Sequence, residues 1–281
     1  MKLGIVANLG KHNADLALRA LIAELNDLGA SYCLDAKAAE PLGLAVPVRE
    51  EAVLMQECDV LIAVGGDGTI IHTAKKAAGY RKPVLGINAG RVGYMACLER
   101  EELPLLKRLL DGDYIVERRM MLEATVSTEQ NKKYYCLNEV DVGKSDHSRM
   151  LELTVDNRGD SFMNFRSDGV IVATPTGSTA YAMSAGGPVT DPTIDCMILV
   201  PVCSMSMYSR GFVLSAASDL RIHCADEEGV QAVVRFDGGD ACLLEKGAFV
   251  TVRRAADRET QLIKIKDDSF YSILKNKMKN L

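Results

Sequence analysis

The sequence lacks an excess of basic residues and a long apolar run, and each absence argues against a class of function. Among its 281 residues, 33 are Lys or Arg and 38 are Asp or Glu, a formal net charge of −5 at pH 7. Because binding along a nucleic-acid backbone needs clustered Lys and Arg, this balance argues against a nucleic-acid partner. No apolar stretch approaches the ~20 residues that span a bilayer, so we expect no membrane segment and a cytoplasmic protein.

Cysteine and histidine are present without the spacing that metal sites or disulfide frameworks need. The eight cysteines are scattered, with no Cys-x-x-Cys pair and no histidine at ligand spacing. We therefore predict reduced and mostly buried thiols, and no metal-ligating side chains. Of the four histidines, only His72 lies beside a motif.

Strand and helix patterns alternate through the first hundred residues. Apolar segments at residues 3–7, 32–34, 60–64 and 83–87 predict strands, with helical patterns between several of them. The first helical pattern has one apolar face, made of Leu18, Leu21, Ile22, Leu25 and Leu28. Apolar strands separated by helices are typical of a parallel sheet covered on both faces, so we predict a Rossmann-like α/β domain.

The pattern changes after a helical stretch at residues 101–110. Short β-type segments follow at residues 115–126, 133–142, 151–155, 163–165, 170–173, 197–202, 220–224, 230–236 and 249–253. Gly, Asp and Asn break these segments, and one helix interrupts them near residues 178–185. Strands of this length and spacing predict an all-β-rich sandwich domain.

The C-terminal segment has the pattern of a basic amphipathic helix. Its apolar stripe consists of Phe270, Ile273, Leu274 and Met278. We expect this helix to pack back on the protein rather than to bind a membrane. We therefore predict an α/β domain over residues 1–98, joined by residues 266–281, and a β-rich domain over residues 99–265.

The most informative local feature is the loop Gly65-Gly66-Asp67-Gly68-Thr69, which lies between an apolar strand and a helical pattern. Glycines let backbone N–H groups approach an anion, and the following helix adds the partial positive charge of its N-terminus. The loop predicts a phosphate site beside one carboxylate, which can coordinate a phosphate-borne metal or act as a general base. The alternative is a tight turn in which Asp67 only caps the helix.

A second glycine-rich turn, at residues 88–93, follows the next apolar strand. The carboxyl ends of parallel strands share one edge of a sheet, so we expect both turns to line one crevice.

Residues 174–184 form a polar stretch with Thr, Ser and Tyr hydroxyls, in a loop that enters a helix after an apolar strand. Small side chains let a planar ligand approach the backbone, and hydroxyl groups can bind an adenine and a ribose. The alternative is a turn rich in capping residues that binds no ligand.

Asn138 and Glu139 interrupt an apolar strand pattern over residues 136–140. Neighbours on a strand face opposite sides, so the two side chains do not both face solvent. A buried carboxylate needs a partner, and a ribose diol offers two donors. An internal ion pair with Arg149 or Arg166 is the alternative.

Together these stretches resemble the motifs of the NAD kinase family, and the resemblance runs the length of the chain. It is carried by residues 65–69, 86–94, 137–139 and 168–181. The Gly-Gly-Asp-Gly-Thr loop is shared with phosphofructokinases and with diacylglycerol and sphingosine kinases. The segment Thr-Pro-Thr-Gly-Ser-Thr-Ala-Tyr is much more specific to NAD kinases.

The resemblance implies phosphoryl transfer from ATP, or from polyphosphate in some members, to the 2′-hydroxyl of the adenosine ribose of NAD. It implies Mg²⁺ or Mn²⁺ as cofactor, Asp67 as general base, Asn138 and Glu139 as ribose ligands, and Tyr181 on the adenine side. The positions that match nucleotide contacts are Gly65, Gly66, Asp67, Gly68, Thr69, His72, Asn138, Glu139, Arg149, Arg166, Asp168, Thr179, Ala180, Tyr181, Ala182, Met183 and Ser184. The resemblance also implies a homodimer or homotetramer in which a neighbouring subunit helps to complete the NAD site.

Two positions depart from the family pattern. Met205 stands where many members have a histidine, and Gly239 stands where many have a glutamine. We expect these losses to alter affinity or the choice of dinucleotide. A non-catalytic dinucleotide sensor is therefore one alternative function, and a lipid or sugar kinase, which leaves the stretch at 174–181 unexplained, is another.

Overall fold

The computed structural model describes residues 1–10, 13–43, 45–89, 93–130, 132–145, 149–206, 210–267 and 269–278. The chain forms two compact units. Unit 1 comprises Met1–Arg118 and Glu259–Leu281, and unit 2 comprises Arg119–Arg258. Residues 99–118 and 259–265, which the sequence analysis placed in the β-rich domain, are grouped with unit 1 by their contacts. The predicted domain bounds themselves stay a prediction.

The regular elements follow in chain order. The strands are β1 (Lys2–Ala7), β2 (Ser31–Asp35), β3 (Val48–Arg49), β4 (Val60–Gly65), β5 (Val84–Asn88), β6 (Ile115–Val126), β7 (Tyr134–Cys136), β8 (Glu139–Lys144), β9 (Leu151–Asn157), β10 (Asp160–Ser167), β11 (Gly169–Ala173), β12 (Cys196–Val202), β13 (Phe212–Ser215), β14 (Asp219–Cys224), β15 (Ala232–Phe236), β16 (Ala241–Leu244) and β17 (Phe249–Lys264). The α-helices are α1 (Ala14–Asp27), α2 (Ala36–Ala39), α3 (Glu51–Glu57), α4 (Asp67–Ala78), α5 (Leu106–Leu110), α6 (Tyr181–Ser184) and α7 (Phe270–Met278).

Unit 1 is built on a parallel sheet with the strand order β3-β2-β1-β4-β5. The end of β17 adds a further parallel strand, since Leu262 pairs with Val84. All residues of β4 and β5 are buried, as expected for a sheet covered on both faces. This order is that of doubly wound nucleotide-binding folds, so the predicted Rossmann-like architecture is confirmed.

The helices of unit 1 differ in how well the sequence predicts them. In α1 the predicted apolar face is buried at Leu18, Leu21, Ile22 and Leu25. The helix predicted at residues 101–110 is instead a 3-10 helix over Arg100–Leu105 followed by α5, because Pro104 cannot donate a backbone hydrogen bond.

The C-terminal helix α7 is grouped with unit 1, as its predicted packing requires. Phe270, Ile273 and Leu274 are half-buried along its predicted apolar stripe. The side chain of Met278, also predicted to lie on this stripe, is outside the described part of the chain.

Unit 2 is a sandwich of antiparallel strands around one core. One layer pairs β10, β9, β14 and β17 in that order, with β6 paired to β17 and β7 paired to β6. The other layer has the order β13-β12-β11-β8-β15-β16. Apolar side chains of both layers are buried together, and the rings of Tyr134 and Phe236 stack with centroids 3.8 Å apart. The predicted β-rich sandwich is therefore confirmed.

Four details of these strands and helices differ from the sequence analysis. The single strand predicted over residues 133–142 is two strands, β7 and β8, with a break at Leu137 and Asn138. The short strands β13 and β16 have no predicted counterpart, and β17 runs on to Lys264, well beyond the predicted end at residue 253. The predicted helix near residues 178–185 is a 3-10 turn over Thr176–Thr179 followed by the single turn α6.

Among the helices that the structure describes, none is long and apolar enough to cross a membrane.

Candidate active site

The glycine loop of unit 1 joins β4 to α4, as predicted. Gly66 is the N-cap of α4 and Asp67 is its first residue, so the alternative that Asp67 caps the helix is wrong. The Asp67 carboxylate instead accepts two backbone hydrogen bonds, from Tyr94 N–H at 2.9 Å and Met95 N–H at 3.0 Å. Asp67 therefore ties the loop after β4 to the segment after β5.

The glycines around Asp67 serve two different purposes. A Cβ at Gly93 would lie 2.0 Å from Asp67 Oδ1, and one at Gly65 would lie 2.4 Å from Thr69 Oγ1. At these two positions the fold itself excludes a side chain. A Cβ at Gly66 or Gly68 would meet no atom within 4 Å, so these two glycines leave open space in front of the helix N-terminus.

The second glycine-rich turn contacts the first, while the shared crevice stays a prediction. The N–H of Ala89 donates to the carbonyl of Gly65 at 3.1 Å, in addition to the Asp67 contacts. Asn88 ends β5, and its amide donates to Glu99 at 2.8 Å. Residues 90–92 of this turn lie outside the described part of the chain.

A cavity of about 790 Å³ opens beside the glycine loop within unit 1, and we call it the unit 1 cavity. Its lining consists of Val6, Ala7, Asn8, Leu9, Gly10, Asp35, Lys37, Glu51, Gly68, Thr69, His72 and Lys76. The loops after β1 and β2 therefore face the N-terminal part of α4, at the carboxyl edge of the parallel sheet. His72, a predicted site residue, lies here with its side chain 60% exposed. Burial and the charge of Lys76 lower the pKa of His72.

In unit 2, residues 137–139 are fixed by one carboxylate. Asp237 accepts hydrogen bonds from the N–H groups of Leu137, Asn138 and Glu139 at 2.9, 2.8 and 2.9 Å. In return, Asp237 N–H donates to the carbonyl of Glu139 at 3.0 Å. This arrangement explains the break between β7 and β8, because the three N–H groups bind a side chain.

The hydroxyl-rich stretch holds the same segment from its other side. Thr174 donates its hydroxyl to the carbonyl of Leu137 at 2.6 Å and its N–H to the carbonyl of Asn138 at 2.8 Å. Its Oγ1 also accepts the N–H of Gly177 at 3.0 Å. A Cβ at Gly177 would lie 2.2 Å from the carbonyl oxygen of Asn138. The two predicted motifs thus form one interlocked structure.

A cavity of about 540 Å³ in unit 2, the unit 2 cavity, brings together three predicted site residues, Glu139, Asp168 and Tyr181. Glu139 is 7% exposed and Tyr181 is 45% exposed. Burial, and then the charge of Asp141, raise the pKa of Tyr181. A carboxylate and a phenol therefore line one cavity, where such polar groups can orient a small ligand.

Three further polar residues line the unit 2 cavity and were missed by sequence reasoning. Asp141 is buried in β8 and accepts a hydrogen bond from Arg235 at 3.0 Å. Burial raises the pKa of Asp141, although Arg235 acts in the opposite direction. Lys144 donates to Asp168 at 2.6 Å. Asp141 interrupts an apolar strand as Glu139 does, and that signal was available in the sequence.

Other predicted contacts lie apart from this cavity lining. Arg149 is exposed, and Arg166 is exposed and lies 4.0 Å from Glu227. Asp168 forms an ion pair with Lys144. The stretch around Tyr181 comprises Thr179, Ala180 and Met183, which are half-buried, Ala182, which is buried, and Ser184, which is exposed.

The cysteines, the two positions that depart from the family pattern and the predicted lack of metal-ligating side chains complete the comparison with the sequence predictions. The eight cysteines are free and five are buried, as predicted. Met205 is 72% exposed, and a Cβ at Gly239 would meet only the carbonyl of Phe236 at 3.6 Å. In the described ranges, no group of three or more His, Cys, Asp and Glu side chains is placed to hold a metal ion.

Comparison with known families gives two matches that together cover most of the chain. The model of the ATP-NAD kinase N-terminal domain matches residues 3–114, and that of the ATP-NAD kinase C-terminal domain matches residues 137–265.

Curated relatives match along nearly the whole chain. The NAD kinase of Symbiobacterium thermophilum is 38% identical over 280 residues, covering 99% of this chain and 98% of that protein. The NAD kinase of Moorella thermoacetica is 36% identical over 282 residues, covering 99% and 89%.

Solved structures give the same result for the fold. Yeast NADH kinase complexed with NADH superposes with a TM-score of 0.89 at 20% identity, covering 99% of this chain and 87% of that chain. An NAD kinase from Archaeoglobus fulgidus in complex with ATP gives a TM-score of 0.77 at 25% identity, with full coverage of both chains.

Proposed function

The chain belongs to the NAD kinase family, and from that premise we propose which of its residues carry the reaction. The protein is an enzyme that phosphorylates NAD to NADP with ATP. In chemical terms, an oxygen–phosphorus bond forms between the 2′-oxygen of the adenosine ribose and the γ-phosphorus of ATP. The bond from that phosphorus to ADP breaks, and the hydroxyl proton is removed.

We propose that Asp67 is the general base. The observation that supports this role is the double hydrogen bond from Tyr94 and Met95, which fixes the carboxylate beside open space at Gly66 and Gly68. An ionised carboxylate is a proton acceptor, so Asp67 can take a hydroxyl proton while backbone N–H groups fix its position. The N–H groups at the start of α4 bind the transferred phosphates, because a helix N-terminus carries partial positive charge.

Residues of unit 2 would bind NAD. The side chains of Asn138 and Glu139 hold the ribose hydroxyls, and Asp237 and Thr174 position the backbone of this segment. Tyr181, with residues 179–184, contacts the adenine side, while Asp168, Arg149 and Arg166 are further dinucleotide contacts implied by the family. The support is the shared lining of the unit 2 cavity by Glu139, Asp168 and Tyr181.

The reaction also needs a divalent cation, Mg²⁺ or Mn²⁺. Mg²⁺ in phosphoryl-transfer sites is held by substrate phosphates with few protein ligands, so the ion would enter with the phosphates of ATP at the start of α4. When bound, the cation neutralises charge on the transferred phosphates. Polyphosphate is a second possible donor, because the loop contacts we assign to the donor involve phosphate groups.

We further propose a homodimer or homotetramer in the cytoplasm. Support for self-association comes from exposed apolar side chains of unit 2, where the rings of Phe162 and Phe212 meet edge to face at 5.8 Å and Val213 is 58% exposed. The free cysteines agree with a reducing compartment.

The assay is direct. Purified protein incubated with NAD, ATP and Mg²⁺ should form NADP and ADP in equal amounts, with parallel reactions on NADH and on polyphosphate. Finding that the protein binds NAD without product from any donor would refute the enzyme and support the dinucleotide sensor. Phosphorylation of a lipid or a sugar, with NAD left unchanged, would favour the third function.

A further inference from the structure

The unit 1 cavity contains a buried carboxylate, that of Asp35, which has no role in the reaction assigned to the glycine loop. Asp35 ends β2 and is 4% exposed, and its Oδ1 has no hydrogen-bond partner among the described residues. Burial and the charge of Glu51 raise the pKa of Asp35. A buried oxygen without a partner lowers stability, so its presence indicates a donor that arrives with a ligand.

A second unpartnered acceptor lies in the same cavity. Glu51 is the first residue of α3, and its Oε2 accepts a hydrogen bond from Lys76 at 2.5 Å. Its Oε1 has no partner within hydrogen-bond distance in the described structure, and His72 Nε2 lies 3.9 Å from it. The lowered pKa of His72 keeps that ring neutral near pH 7, so the cavity presents two acceptor oxygens to any ligand that enters.

The other residues that line the unit 1 cavity indicate which kind of ligand it binds. Gly68 and Thr69 line the same cavity at the N-terminus of α4, where phosphate groups bind. In doubly wound dinucleotide-binding folds, a carboxylate after β2 accepts hydrogen bonds from a ribose whose phosphates lie at the helix after β1. Here the phosphates are assigned to α4 instead, and the shared cavity lining brings Asp35 within reach of the same nucleotide. The neighbouring 2′- and 3′-hydroxyls of a ribose can donate hydrogen bonds to the acceptor oxygens Asp35 Oδ1 and Glu51 Oε1. A volume of about 790 Å³ lies within the range of roughly 300–1,000 Å³ that is typical of small-molecule sites.

We propose that Asp35 accepts hydrogen bonds from the ribose hydroxyls of ATP and makes the enzyme selective for ribonucleotide donors. Glu51, held by Lys76, is the second acceptor at this subsite. The proposal rests on the proposed function, since it requires the phosphates of ATP at the start of α4. It assigns the nucleoside half of the donor to the unit 1 cavity, separately from the residues assigned to NAD.

The test compares ATP, 2′-deoxy-ATP and 3′-deoxy-ATP as donors at saturating NAD, for the wild type and for Asp35→Asn. A hydrogen bond to a charged group is worth about tenfold to a hundredfold. The wild type should therefore prefer ATP over at least one deoxy analogue by about that factor, and Asp35→Asn should reduce the preference to less than about threefold. The KM for NAD should stay within about twofold, and Asp27→Asn, at an exposed carboxylate that ends α1, should resemble the wild type.

A thermal melt separates a binding role from a structural one. Asp35→Asn removes a buried charge whose Oδ1 has no hydrogen-bond partner, so the variant should melt at or above the wild-type temperature while it loses donor selectivity. A lower melting temperature together with unchanged selectivity would make Asp35 a structural residue and overturn the proposal.

Other outcomes overturn the proposal in different ways. Equal use of ATP and both deoxy analogues by the wild type refutes it without any variant. A shifted Mg²⁺ requirement with unchanged selectivity would make the site a cation site, and a changed KM for NAD alone would assign Asp35 to the other substrate. Wild-type protein that makes no NADP from any donor refutes the proposed function itself.

Discussion

Both units fix a polar loop with a carboxylate that accepts backbone N–H groups, but they take that carboxylate from different places. In unit 1, Asp67 belongs to the glycine loop and binds Tyr94 and Met95, 27 and 28 residues further along the chain. In unit 2, Asp237 lies outside the segment it holds, and residues 137–139 precede it by 98 to 100 positions.

The difference separates two kinds of function. In unit 1 the carboxylate that holds the loop is also the proposed base, so disturbing the contact should change kcat. In unit 2 the holding carboxylate, Asp237, is distinct from the proposed ligand-binding carboxylate, Glu139, so disturbing it should change the KM for NAD.

Among substitutions that keep Asp67 itself, the largest effect is expected from Gly93→Ala. The added Cβ would lie 2.0 Å from Asp67 Oδ1, so the carboxylate must move. Because misplacing a catalytic group by about 1 Å costs about a hundredfold, steady-state kinetics should show kcat reduced by about that factor, with the KM for NAD nearly unchanged. A variant with normal kcat would show that the position of Asp67 does not matter.

Asp237→Asn should give the complementary result in unit 2. Asparagine keeps the shape and tolerates the positive φ of 51° at this position. Its NH₂ group cannot accept an N–H from residues 137–139, so the KM for NAD should rise about tenfold to a hundredfold, with a much smaller change in kcat.

Asp240→Asn, at an exposed carboxylate three residues further on, is the matched control and should behave as the wild type. If Asp237→Asn lowers kcat and leaves the KM for NAD unchanged, the proposed division between the two units is wrong.

Gly68→Ala tests whether the phosphates of ATP bind at the glycine loop. A Cβ here would meet no protein atom within 4 Å, and alanine favours a helix more than glycine does. The melting temperature should therefore stay level or rise, while the KM for ATP should increase about tenfold because the methyl group occupies the phosphate space. If Gly68→Ala has the KM for ATP of the wild type, the phosphates do not bind at this position.

The smallest effect on catalysis is expected from Glu123→Gln in unit 2. Burial favours a higher pKa for Glu123, but hydrogen bonds from Arg253 and Lys133 outweigh it and leave the pKa lowered. The ionised side chain therefore stabilises the fold above the pKa of an unfolded Glu, and this stability is lost as the pH falls through the lowered value.

Urea unfolding at pH 7 should show Glu123→Gln about 1–3 kcal/mol less stable than the wild type, with kinetics unchanged. Glu228→Gln, at an exposed position of the same unit, should cost nothing measurable. Equal stabilities of Glu123→Gln and the wild type at pH 7 would contradict the lowered pKa.

The comparison also explains how much the sequence alone could predict. In a parallel sheet the carboxyl ends of successive strands share an edge, so the loops at residues 65–69 and 88–93 could be placed together before the structure was known. In the antiparallel unit, β8 pairs with β11 and β15, and nothing local in the sequence specifies those partners. The role of Asp237 was therefore missed, although Asn138 and Glu139 were singled out.

Hydrophobic patterns in the sequence also failed to predict secondary structure where a strand is very short or where a proline interrupts a helical pattern. The strands β13 and β16 have four residues each, too few for a clear alternation, and Pro104 converts a predicted helix to a 3-10 turn. Asp35 was overlooked because a single acidic residue at a strand end has no sequence signature. Its significance depends on its burial and on a missing partner, which only coordinates reveal.

The central claim is that Asp67 removes the proton from the 2′-hydroxyl and contributes little to the affinity for NAD. The most direct measurement is the single-turnover rate of NADP formation by Asp67→Asn at saturating NAD and ATP, with NAD affinity measured by calorimetry. We predict a rate reduced by about 10²- to 10⁴-fold, with the Kd for NAD within about tenfold of the wild type. A variant that forms NADP at the wild-type rate, or one that loses rate only because NAD no longer binds, would contradict the claim.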